Sequence, residues 1–199
     1  MGVADWSQVK RNCALSIEEE VEDHVFQAAL SDNQRGFMLY DGIANYKNAE
    51  VVLKARATPV EAVQVAACAV FRSDAALDNG YLAAIRFATA VSAILEIQKW
   101  DAGVKSIMFT GPGVACVLDE WNQWRIRCWD VIFPAPLTRF SFERKDGALW
   151  TPLWQKDDDT MFLHGVQGYS GYGAYVDYSF GAPDPRFVRV NDVELGHMA

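Results

Sequence analysis

The stretch Tyr81 to Lys99, YLAAIRFATAVSAILEIQK, is the longest run of helix-like periodicity in the 199-residue chain, and its reading decides the fold. Tyr81, Ile85, Ala88, Val91 and Leu95 recur at steps of three and four, and Leu82, Phe87 and Ile94 widen the stripe. An apolar surface this broad predicts a central helix buried around most of its circumference. Just upstream, Thr58, Pro59 and Glu61 stand at N-cap, N1 and N3 of a second predicted helix with the body VEAVQVAACAVFR. Its small residues Val63, Ala66, Ala67 and Val70 allow close approach, so the two segments are expected to form an antiparallel helical hairpin closed by Ser73 to Gly80. Further helices are expected from Ser16, with Glu19 completing a capping box, and over Asn45 to Ala57, ended by Thr58-Pro59.

The composition changes at Gly103. Residues 1 to 105 hold 20 alanines, one proline and two tryptophans, whereas residues 106 to 199 hold 6 alanines, six prolines and five tryptophans. Helix formers give way to β-branched, aromatic and turn residues. In WRIRCWDVIF, Trp124, Ile126 and Cys128 point one way and Arg125, Arg127 and Trp129 the other, and Pro152 in ALWTPLW marks an edge position. The expected fold is therefore α+β: N-terminal helices, including the antiparallel hairpin, packed on a C-terminal, mostly antiparallel sheet of about six short strands. The chain reads as a single domain, 1–199, with a helical half (1–103), a β-rich half (104–190) and a flexible tail (191–199).

With 51% apolar and 22% charged residues this is an ordinary folded chain, and a net charge of −8 with a pI near 4.8 disfavours nucleic acid as a partner. No membrane partner is expected, because Arg86, Thr89, Ser92 and Glu96 interrupt the most apolar run. The first residues lack the basic-then-apolar pattern of a secretory leader, which makes the cytoplasm the expected location. Cys13, Cys68, Cys116 and Cys128 show no zinc-site spacing and read as buried free thiols, with a Cys116–Cys128 disulfide as the alternative. No metal or cofactor is expected: the acidic run Asp157 to Asp159 lacks a calcium-loop pattern, and no phosphate-binding loop is present.

The most distinctive segment is GVQGYSGYGAYVDYSFG, residues 165–181, in which Tyr169, Tyr172, Tyr175 and Tyr178 recur every third position. A glycine-rich loop displaying rings suits recognition, and a hairpin whose tyrosines pack inward is the competing reading. The leading expectation is a non-enzymatic binding protein, an assembly component, effector or immunity-type protein. It would use this loop and a sheet edge to hold another protein, or a small apolar or aromatic ligand, with contacts at Tyr169, Tyr172, Tyr175, Trp150 and Trp154. The rival is a small-molecule enzyme or carrier with a cavity lined by Trp124, Trp129, Trp150 and Trp154. There His164 and a carboxylate, Asp119, Glu120 or one of Asp157 to Asp159, would transfer protons. A nucleophilic variant takes Cys128 or Cys116 with His164 as base and Asp130 or Asp177 as orienter, although Cys128 lies on the predicted core face.

Overall fold

Tyr81 to Lys99 is not a helix. It forms two strands, Gly80–Thr89 and Ser92–Asp101, that fold back on each other at Ala90 and Val91. The computed structural model describes residues 6–9, 14–20, 23–30, 34–40, 46–58, 64–176 and 186–198, and every regular element among them is a strand. In chain order these are β1 (Trp6–Val9), β2 (Ala14–Glu20), β3 (Asp23–Leu30), β4 (Arg35–Tyr40), β5 (Ala49–Thr58), β6 (Val65–Ser73) and β7 (Gly80–Thr89). They continue with β8 (Ser92–Asp101), β9 (Val104–Ala115), β10 (Asn122–Val131), β11 (Leu137–Asp146), β12 (Leu149–Asp158), β13 (Tyr169–Val176) and β14 (Arg186–His197).

Two seven-stranded sheets face each other, ordered β1-β4-β13-β6-β7-β8-β9 and β12-β11-β10-β5-β14-β3-β2. Every pairing is antiparallel. The α+β expectation is thus overturned in favour of an all-β sandwich. The segment predicted to open a helix at Ser16 is β2, the one over Asn45 to Ala57 is largely β5, and the one ending at Arg72 is β6. Pro59, Glu61 and Val63 lie outside the described residues. Over 191–197 the chain is not a loose tail, since β14 stays paired with β5 as far as His197↔Ala49.

The failed helix prediction has a physical cause. All nine residues of β6 are buried, and β7 and β8 are buried along most of their length. Ala67, Ala69, Phe71, Tyr81, Ala83, Ile85, Leu95 and Ile97 pack into the core between the sheets. Their alternates, Ala66, Cys68, Val70, Leu82, Ala84 and Trp100, join Phe37, Leu39 and Tyr175 in a second apolar cluster on the opposite face. A strand with two dry faces carries no polar alternation, and a continuous run rich in alanine then has the look of a buried helix.

The main core draws on both supposed halves: Trp124, Ile126, Cys128, Phe140 and Phe142 of the second sheet meet the inward row of β6, β7 and β8. At one open side of the sandwich, Trp154 stacks on Phe142 at 5.5 Å between ring centroids. Gly111 of β9 lies against the same indole, and a Cβ there would come within 2.6 Å of it. Glycine is what lets the β9 and β12 edges close over the core.

Candidate ligand-binding cleft

The outward rows of β10, β11 and β12 are set by register. Arg125, Glu143 and Pro152 lie side by side, followed by Arg127, Ser141 and Gln155, then by Trp129, Arg139 and Asp157. A register shift at Phe142/Glu143 leaves Leu153 as an extra residue in β12. Such a bulge bends its strand away from its neighbour. At this point a cleft of about 520 Å³ opens, lined among others by Arg127, Trp129, Ser141, Glu143, Leu153 and Gln155.

Ion pairs hold the charged walls. Arg127 Nη1 donates to Glu143 Oε1 at 2.9 Å and its Nε to Glu50 Oε2 at 2.5 Å, while Arg125 Nε donates to Glu143 Oε2 at 2.7 Å. Arg139 grips Asp157 through two bonds of 2.6 and 2.8 Å, and the Arg125 guanidinium lies 4.5 Å from the Trp150 ring centroid. Ser141 differs from all of these. It is 8% exposed, and its Oγ has no hydrogen-bond partner. A buried hydroxyl without a partner is uncommon, because desolvating it unpaired costs about 1–3 kcal/mol. An indole wall with fixed donors and acceptors suits a ring with an apolar face and a polar rim.

A second polar cluster lies between the sheets. A bulge opposite Tyr169/Gly171 and a left-handed backbone at Arg72 (φ 52°) bring this arginine inward next to Phe71. Its Nη1 donates to Thr138 Oγ1 at 3.1 Å and to the Leu163 carbonyl at 2.9 Å, and Nη2 lies 2.8 Å from Asp130 Oδ1. Asp130, its side chain 3% exposed, also meets Lys47 Nζ at 3.2 Å and His164 Nδ1 at 3.1 Å, and accepts a bond from the Gly165 amide at 3.0 Å. Burial pushes the Asp130 carboxyl towards its neutral form, but the Arg72 charge and the donors of Arg72, Lys47 and Gly165 outweigh it and hold the pKa below the usual value. The cluster ties the segment before β13 to both sheets.

No family model and no curated protein matches this sequence. Solved structures, however, match the whole chain. A carbohydrate-binding module, CBM66, from Bacillus subtilis superposes with a TM-score of 0.55 at 18% identity, over 96% of this chain and 94% of that one. A legume lectin-like domain from Entamoeba histolytica gives 0.63 at 12% identity, over 99% and 92%. The fold is a lectin-like β-sandwich. A glycoside hydrolase family 16 endo-glucanase from Bacteroides ovatus shares it, with a TM-score of 0.64 at 10% identity over 98% and 96%, so the architecture serves both binding proteins and enzymes.

In this lectin-like sandwich the residues singled out from sequence scatter. Tyr169, Tyr172 and Tyr175 sit in strand β13 and not in a loop. Tyr172 is buried in the main core, where desolvation raises its pKa. Tyr175, 1% exposed, belongs to the opposite cluster, and its hydroxyl accepts a 2.6 Å bond from Gln98 Nε2. Tyr169 is half-buried beside that cluster; Asp177 and Tyr178 lie outside the described residues. Trp150 faces outward under Arg125, while Trp154, which closes the β9–β12 side, also lines the cleft with Trp129.

Asp130 and His164 do come together, as described. Cys128 is a core residue whose thiol burial pushes up to about 12, with Arg72 opposing, and burial pushes Cys116 up to about 11. Burial thus disfavours the thiolate form at both. Cys68, Cys116 and Cys128 are free thiols. Among the described residues no group of three or more His, Cys, Asp or Glu is arranged to hold a metal, and no helix is long and apolar enough to cross a membrane. Sequence reasoning missed Arg127, Ser141, Glu143 and Gln155 as a group. The signal was the alternation in LTRFSFER, which sends Arg139, Ser141 and Glu143 outward beside the outward row of β10.

Proposed function

We propose that this protein is a carbohydrate-binding module whose site is the outward cleft on β10, β11 and β12. The observation that carries the reading is a cleft that sets the Trp129 ring and the Gln155 amide beside the ion-paired Arg127 and Glu143. A sugar ring offers what these groups lack: C–H faces for an indole and a rim of hydroxyls for fixed donors and acceptors. The names of the solved structures sharing this fold, a carbohydrate-binding module and a lectin-like domain, support a glycan over the protein partner expected from sequence.

Binding is favoured over hydrolysis by the carboxylates. Glycoside cleavage uses two carboxyl groups flanking the bond, one able to protonate the leaving oxygen. Among the described residues Glu143 is the one carboxylate lining this cleft, and two guanidiniums hold it. The Asp130–His164 pair is not among the residues that line it.

Affinity electrophoresis and calorimetry against a panel of polysaccharides test the proposal. Trp129→Ala is expected to weaken binding about tenfold or more with a small change in Tm. A panel that yields no binding at all, or a Trp129→Ala protein that binds like wild type, overturns it.

A further inference from the structure

We infer that the cleft selects uncharged glycans and discriminates against uronate-bearing and sulfated ones; this rests on the carbohydrate reading above. Each arginine of the outward face around the cleft already has its own carboxylate. Arg127 is held by Glu50 and Glu143, Arg125 by Glu143, and Arg139 by both oxygens of Asp157. Three cations therefore meet three anions. The uncharged groups that line the cleft beside these ion pairs are the Gln155 amide and the Trp129 ring.

A ligand carboxylate entering here faces two unfavourable choices. It can displace Glu143 or Glu50 from its arginine and strand a half-buried anion, or it can lie beside them unpaired. A hydroxyl rim needs neither, since it can donate to the outer lone pairs of Glu143 and bond the Gln155 amide while the ion pairs stay closed. The net charge of −8 adds a long-range field that repels polyanions. The selectivity thus comes from cations that are present but already matched.

The same arrangement says how to invert the preference. Glu143 serves two arginines at once, so Glu143→Gln leaves an excess positive charge at the cleft wall. Calorimetry of the full chain with neutral gluco-, manno- and fructo-oligosaccharides, and with oligoalginate and oligogalacturonate, provides the test. For wild type, a neutral oligosaccharide is expected to bind at least about tenfold more tightly than either acidic one, with a Kd that changes less than about twofold up to roughly 0.5 M NaCl. Glu143→Gln, checked for folding by circular dichroism, should bring acidic binding up by about tenfold and make it salt-sensitive; Glu50→Gln replaces it if the first variant does not fold. Tighter wild-type binding of the acidic oligosaccharides, or variants that gain nothing for them, overturns the selectivity while leaving the carbohydrate reading intact. Failure of every glycan, neutral and acidic, to bind overturns both.

Discussion

The two sheets of this sandwich are built from the same element under different constraints. The central strands of the first sheet are dry on both faces, with the main core on one side and a second apolar cluster on the other. The strands β10 and β11 of the second sheet are dry on one face and carry arginines, acids and Trp129 on the other. Where both faces must be apolar, side chains are committed to packing and none is free for a ligand. Where one face meets water, polar groups can be placed without being consumed by the fold, and the cleft is found there.

The contrast can be broken most strongly by placing a charge on each outer face. Ala84→Glu puts an unpaired carboxylate in the buried outer cluster of the first sheet and is expected to cost about 5 kcal/mol, whereas Gln155→Glu on the second sheet should change stability by no more than about 0.5 kcal/mol. Urea denaturation of the pair decides it: equal losses would mean that the two outer faces are alike.

The cluster joining the sheets comes next. Arg72→Met removes the main partner of buried Asp130 and is expected to cost about 3 kcal/mol, and adding Asp130→Leu should return at least about 1 kcal/mol of it. If the double variant is no better than the single one, the arginine acts through packing and not through the carboxylate.

Acid sharpens the same point with a smaller effect. The Asp130 pKa lies below its unfolded value, so the native state binds fewer protons; its contribution is present above about pH 4 and is lost as pH falls through the lowered native pKa. Stability curves for wild type and Asp130→Asn should converge as pH drops below about 4, and parallel curves would refute this assignment.

The smallest expected effect is at the cleft floor. Because the buried Ser141 hydroxyl has no partner, Ser141→Ala should leave stability within about 1 kcal/mol of wild type, or raise it. A loss of more than about 2 kcal/mol would reveal a structural role for the hydroxyl.

How much could be read from the chain follows from the same contrast. In WRIRCWDVIF one wet face leaves a visible period of two, and Trp124, Ile126 and Cys128 are indeed interior. In VAACAVFR both faces are dry, and in YLAAIRFAT they are dry as far as Ile85, so the period vanishes and alanine content points to helix. The tyrosines misled in another way. A repeat of three in an element of period two sends Tyr172 to one face and Tyr169 and Tyr175 to the other, so they never act as one surface.

By itself the sequence determined the acidic balance, the alternating outward row of β10 and the presence of Asp130 and His164 as chemistry-bearing residues. Only the tertiary structure decided that the alanine-rich first half pairs as strands and that Asp130 meets the Gly165 amide 35 positions away. It also decided that a bulge between β11 and β12 opens a cleft over Ser141. The reason is that strand pairing is a contract between distant segments: whether a residue has a dry or a wet neighbour depends on which strand lies beside it, and local periodicity carries no record of that partner.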